Sequence, residues 1–302
     1  MATSLSVTST YAGEAAYPYI SAALLSPKTL DNITVKENIK HKMVVKKGAD
    51  TVSFQNAGTS NCDFEDSGTI TVTERILAPE RFKVQREVCK TEFASDWEAI
   101  QMGYSAHNDG GAPNFNDWLI GQLAGGAGAK LESLIWTGVN ATAGEFDGFE
   151  VLMLADSDVN DVTAAAFTSS NIDEAIQTTI DALPTAVQGS ENLRIYMNTS
   201  AVWKYKQFLA AGGYANVYNT PDIPLNYLGV PVAECPGMSD NVLIVAEADN
   251  LWFGTGLLSD WNEVRLIDTS ETLGDDNLRF SMKFTAGVQY GIGGDIAACN
   301  LS

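Results

Sequence analysis

Two stretches of this sequence, together with its few histidines and cysteines, hold the residue types that chemistry uses. Asp156, Asp158, Asn160 and Asp161 crowd oxygen donors together as the start of a calcium loop does. Such a loop also needs a glycine at its sixth position and a glutamate at its twelfth, and here those positions hold Asp161 and Phe167. An exposed acidic turn is expected instead. Gly125 to Lys130 superficially resembles a phosphate-binding loop, but Lys130 stands between Ala129 and Leu131, without the Gly-Lys-Ser/Thr ending that a phosphate cradle requires. Glycines there point to helix packing. A Ser/His/Asp or Cys/His site would have to use His41, which opens a strand, or His107, which lies in the polar loop Asn108 to Gly111. Cys62, Cys89, Cys235 and Cys299 are far apart and form no C-x-x-C pair, so reduced thiols are expected rather than a disulfide framework or a zinc site. The expectation is therefore no catalytic residue, no metal and no cofactor.

The elements around these residues suggest a different occupation. A chain of 302 residues can bury roughly three quarters of its unfolded surface, enough for one large core or two modest ones. Hydrophobic residues make up 45% and charged residues 19%, with no run near the ~20 apolar residues of a membrane helix. Met1 to Tyr19 is Ser/Thr/Ala-rich and lacks the basic and apolar regions of a signal peptide. The net charge of −20 is unevenly spread. Residues 28–90 hold 11 of the 18 Lys and Arg against 9 Asp and Glu, a balance of +2, whereas residues 91–302 hold 7 against 28, a balance of −21. So acidic a body repels phosphates, which excludes a sequence-specific DNA binder. The weakly basic segment suits the acidic surface of another copy, although an aid to solubility would give the same asymmetry.

Residues 1–35 carry Pro18 and Pro27 and no sustained period, the pattern of an extended arm ordered by contacts elsewhere. From Ile39 to Cys89 apolar residues alternate: Val52 and Phe54, Ile70 and Val72, then Phe82, Val84 and Val88. The polar, glycine-bearing stretch Asn56 to Gly68 makes the first two runs a long hairpin, which is marginal alone in water and needs a partner surface. Phe115, Leu119, Leu123, Ala127 and Leu131 recur every fourth residue, predicting a helix from Asn114 toward Trp136. Gly121, Gly125, Gly126 and Gly128 each weaken such a helix by up to about 1 kcal/mol. Close approach of another backbone would compensate, and a local kink is the alternative. Helices follow at Ile172 to Leu183 and Val202 to Leu209. Strands are expected at Leu193 to Met197, Val230 to Val232, Val242 to Val245, Leu251 to Phe253, Val264 to Ile267 and Leu278 to Phe284. The six tryptophans accompany these apolar periods as core or interface anchors. The fold class is α+β.

This order of parts resembles the major capsid proteins of tailed bacteriophages with the Hong Kong 97 fold, over nearly the whole chain. Its local wording lies in Tyr227-Leu228-Gly229-Val230-Pro231-Val232, in Asn250-Leu251-Trp252-Phe253-Gly254-Thr255-Gly256-Leu257-Leu258-Ser259-Asp260 with Asn262-Glu263-Val264-Arg265, and in Leu278 to Gly291. The resemblance implies an N-terminal arm at 1–35, an E-loop hairpin at 36–78, and a P domain at 79–164 with a spine helix at 114–137. It further implies an A domain at 165–275 and a strand returning to the P domain within 276–302. By the same resemblance the chain is a structural subunit, not an enzyme, that self-assembles through hexamers and pentamers into an icosahedral shell around double-stranded DNA. Scaffolding, portal and decoration proteins would be separate partners, assembly would take place in the host cytoplasm, and no membrane is involved. A protein nanocompartment shell of the same fold is the alternative. Lys-to-Asn cross-linking, found in some members, is not expected, because Lys42, Lys46 and Lys47 sit at the hairpin base rather than its tip.

Overall fold

The computed structural model describes residues 28–52, 54, 68–89, 113–213, 225–257, 264–269 and 273–301. After a 3-10 turn at Thr29–Asn32 come β1 (Thr34–Lys36), β2 (Met43–Val52), β3 (Gly68–Leu77) and β4 (Glu80–Cys89). The helix α1 (Pro113–Thr137) leads to α2 (Phe149–Leu154), β5 (Asn160–Val162), α3 (Ile172–Asp181), α4 (Thr185–Gln188), β6 (Leu193–Met197) and α5 (Thr199–Ala211). Strands complete the chain: β7 (Asn226–Tyr227), β8 (Val230–Glu234), β9 (Leu243–Glu247), β10 (Leu251–Gly254), β11 (Val264–Asp268), β12 (Asn277–Tyr290) and β13 (Ala297–Cys299).

These strands form two sheets and a ribbon. The six-stranded sheet runs β5-β13-β9-β6-β8-β7. Its central strands read as continuous apolar runs because both faces are covered, with successive side chains pointing to opposite sides. Tyr196 and Ile244 face one core, together with Trp136, Phe149 and Tyr290, while Ile195 and Val245 face a second core under α3 and α5. In α3 the buried residues are Ile172, Ala175, Ile176 and Thr179, one face of a helix. The amide N–H of Ser200 donates to the Asn198 side chain at 2.8 Å, a cap that starts α5.

The five-stranded sheet is built around β12, whose 14 residues pair with β4 and β11 along the first part and with β10 at the end. The parallel strand β1 extends it from β10. Helix α1 starts at Pro113, one residue before the expected cap, where the missing N–H costs nothing. Leu123, Ala127 and Leu131 are buried as their spacing requires, and Leu123 packs with Val88, Leu278 and Phe280.

Three expectations meet a different arrangement. At Gly121 and Gly126 an added Cβ would touch nothing within 4 Å, so no backbone packs closely there, and α1 still continues unbroken to Thr137. Tight approach occurs beyond the glycine run: a Cβ on Gly237 would collide with the Glu132 carbonyl oxygen. Residues 28–36, the end of the expected arm, lie on the body of their own chain, with Thr34–Lys36 in register with Trp252 to Gly254. Finally, residues 160–162 and 297–299, within the bounds given to the P domain and its returning strand, form β5 and β13 of the six-stranded sheet, where β13 pairs with both β5 and β9.

Candidate assembly interface

The ribbon β2–β3 is a ladder of ten antiparallel pairs from Met43↔Leu77 to Val52↔Gly68, and no third strand joins it among the described residues. Alternation divides its side chains. Leu77 is buried at the base with Ile39 and Trp252, and Met43 and Val45 pack against them. The opposite face carries the pair Val44↔Ile76, the pair Lys46↔Glu74, then Val72 and Ile70. These apolar residues are open to solvent, Val44 at 48%, Ile76 at 44%, Val72 at 64% and Ile70 at 75%. Phe54, just past β2, is fully exposed. Fully burying one such side chain stabilises by about 1.5–3 kcal/mol, so the face is a source of association energy that the described residues leave unused.

A polar clasp fixes the base of this ribbon to the body. The Arg75 guanidinium bonds the Asp156 carboxylate and lies over the Tyr290 ring, 4.8 Å from its centroid. The Tyr290 hydroxyl lies 2.8 Å from Asp156 Oδ2 and 3.2 Å from the Leu152 carbonyl oxygen, and the Asp158 amide donates to Asp156 Oδ1 at 3.1 Å. Partial burial disfavours the Asp156 anion, but the Asp158 amide, the Tyr290 hydroxyl and Arg75 outweigh it and hold this carboxyl below its ordinary value. Burial, reinforced by Asp156, pushes the Tyr290 hydroxyl up, so it stays protonated and able to donate.

The segment entering β1 is fastened by a second clasp. The amides of Lys28 and Thr29 donate to Glu132 Oε2 at 3.2 and 3.1 Å, the Thr29 hydroxyl bonds Oε1, and Trp136 Nε1 donates to that hydroxyl at 2.8 Å. Glu132 is fully buried, and these donors satisfy carboxyl oxygens that would otherwise lack hydrogen bonds. Lys28 Nζ pairs with Glu234 at 2.7 Å. One sequence signal pointed to this site: a lone acid at 132, next to the buried ladder residue Leu131 and ahead of Leu134, Ile135 and Trp136.

The residues first considered for chemistry are placed apart or put to structural use. Asp156 belongs to the clasp, Asn160 donates to the Gly294 and Ile296 carbonyls, and Asp161 accepts from the Leu301 amide. Lys130 pairs with Glu145 at 2.7 Å on the side of α1. His41 is exposed just before β2, while His107, Cys62, Trp97 and Trp261 lie outside the described residues. Cys235 and Cys299 are buried free thiols, and burial raises the pKa of both. Among the described residues no group of three or more His, Cys, Asp or Glu side chains is placed to hold a metal ion, and no helix is long and apolar enough to cross a membrane.

No protein-family model matches the sequence, and no curated protein does. Solved structures do match in fold. A chain in the capsid of a native GTA particle superposes with a TM-score of 0.65 at 12% identity, over 96% of this chain and 95% of that one. A chain of the cyanophage A-1(L) capsid gives 0.60 at 16% identity, over 95% and 96%. A chain from Mycobacterium phage Cain gives 0.63 at 11% identity, over 95% and 94%. Agreement over nearly the full length of both partners, at identities this low, establishes a shared architecture: the chain has the mixed α+β fold of these phage and particle capsid chains.

Proposed function

We propose that this chain is the major capsid protein of a tailed bacteriophage, a structural subunit that closes into an icosahedral shell around double-stranded DNA. The observation that carries the reading is the β2–β3 ribbon, anchored at its base and bearing an apolar face without a partner among the described residues. Such a face suits a subunit that completes its packing on another copy. In Hong Kong 97 terms the ribbon is the E-loop and α1 the spine helix of a P domain. The six-stranded sheet with α3 and α5 is the core of an A domain. Hexamers and pentamers, separate scaffolding, portal and decoration proteins, and assembly in the host cytoplasm belong to this reading. The fold likeness to phage and particle capsid chains favours a genome shell over a nanocompartment. No catalytic role is assigned to any residue.

Electron microscopy of the purified protein, alone and co-expressed with any neighbouring scaffold gene, tests the proposal. Hollow icosahedral shells or capsomer rings are the expected result. A monomer that persists at every concentration and with every candidate scaffold would overturn it.

A further inference from the structure

We propose that α2 is a fixed pillar with a carboxyl latch at each end, one on the ribbon base and one on the turn between β8 and β9, which opposite changes of pH release separately. The inference concerns the subunit and does not depend on the shell reading. Packing holds the pillar itself. Phe149 and Met153, one turn apart on α2, are buried, and the Phe149 ring centroid lies 5.3 Å from that of Trp136. Just before the helix, the Gly148 amide donates to the Gly138 carbonyl at 2.9 Å, and a Cβ on Gly148 would collide with the Trp136 carbonyl. The Tyr290 hydroxyl lies against the Leu152 carbonyl from the side of β12.

From this seat two carboxyls reach different parts of the molecule. Glu150, in the first turn of α2, holds the β8–β9 turn: Ser239 donates its amide to Oε1 at 2.9 Å and its hydroxyl to Oε2 at 2.6 Å. Asp156, just past the last turn, holds Arg75 of β3 and Tyr290 of β12. One short helix thus carries both latches, in unlike surroundings. At Glu150 burial disfavours the anion more than the Ser239 bonds favour it, and the carboxyl is raised. Lys130 and Glu132 in α1, Glu145 and Asp147 before α2, and Cys235 and Asp240 in the β8–β9 turn do not shift it. At Asp156 burial is outweighed by the Asp158 amide, the Tyr290 hydroxyl and Arg75, which lower the carboxyl, while the Asp158 and Asp295 carboxylates do not act on it.

The two signs are opposite. The Glu150 latch is complete below the ordinary glutamate value and is lost as pH rises through the raised one. The Asp156 latch is complete above the ordinary aspartate value and is lost as pH falls through the lowered one. Both hold near about pH 4, and from there they part in opposite directions. The ribbon base can therefore be freed while the six-stranded sheet keeps its turn, and the turn can be freed while the ribbon stays anchored.

Amide hydrogen exchange of the full-length chain, with each rate divided by that of an unfolded peptide at the same pH, tests this. From about pH 4 to about pH 8 the amides of residues 237–242 should lose protection about tenfold, while those of the ribbon base, 43–45 and 75–77, keep theirs. Glu150→Gln, which still accepts a hydrogen bond but cannot ionise, should abolish that loss. Ser239→Ala should move its midpoint to higher pH, because the hydroxyl bond favours the anion; a looser turn with an unmoved midpoint would mark a merely structural contact and overturn the proposal. From about pH 4 to about pH 2 the ribbon base should lose protection and the turn should not. Should the whole chain unfold in acid, Asp156→Asn near neutral pH replaces that arm, with the loss confined to the ribbon base. Parallel loss in both regions, a turn that does not respond to pH, or a response that persists in Glu150→Gln overturns the proposal.

Discussion

The six-stranded sheet and the β2–β3 ribbon use the same alternation of side chains to opposite ends. In the sheet, Ile195 and Tyr196 are adjacent in sequence and both fully buried, because each side of β6 has its own core. In the ribbon, Leu77 and Ile76 are also adjacent, yet one is buried at 1% and the other is 44% exposed. The sheet thus completes its packing within one chain, while the ribbon borrows a core at its base and leaves the remaining face uncovered by the described residues. Stability of the subunit should therefore depend on the body, and assembly on the ribbon.

Substitutions ordered by their expected cost to the isolated subunit sharpen this contrast. Trp136→Ala removes a fully buried ring that touches Phe149 and Tyr196 and donates to Thr29, and should cost about 3–5 kcal/mol in a denaturant titration. Gly237→Ala forces a Cβ against the α1 backbone at Glu132 and should cost about 1–3 kcal/mol in the same titration.

Arg75→Ala should cost about 1–2 kcal/mol by removing a charged hydrogen bond at the ribbon base, with faster amide exchange concentrated in β2 and β3. The pH dependence follows from the same clasp. Because the Asp156 carboxyl is held below its ordinary value in the folded chain, its contribution is complete above that ordinary value and disappears as pH falls through the depressed one. Acidification should loosen the ribbon base in the parent and have less effect there in Arg75→Ala. Glu150 acts in the opposite sense: burial raises its carboxyl despite the two bonds from Ser239, so its contribution is present at low pH and is lost as pH rises through the raised value. Smallest of all, Ile70→Ser with Val72→Ser should change subunit stability by no more than about 0.5 kcal/mol, since both side chains are exposed, yet reduce shell yield strongly.

What could be read from the sequence divides along physical lines. Long elements with an unbroken period were legible: the fourth-residue spacing through Leu131 became α1, and the alternation from Leu278 to Phe284 became β12. The hairpin was legible from its two alternating runs. Strands of three residues were not, since Ala297-Ala298-Cys299 is too short for a period and is composed of small side chains. Nor were the clasps, because Arg75 and Asp156 are 81 positions apart and only folding joins them. That β4 and β12 set Lys83 opposite Lys283 depends on strand register, which alternation narrows to a face but does not set. The glycines of α1 were read correctly as weak helix formers but assigned a close contact that Gly121 and Gly126 do not make within this chain.

Deleting residues 57–68 tests the division most directly, because it removes the ribbon's far end and leaves its base and the body intact. The account predicts a subunit that melts cooperatively near the parent temperature and yields no correctly formed shells by electron microscopy. Normal shells from the deleted chain would contradict it.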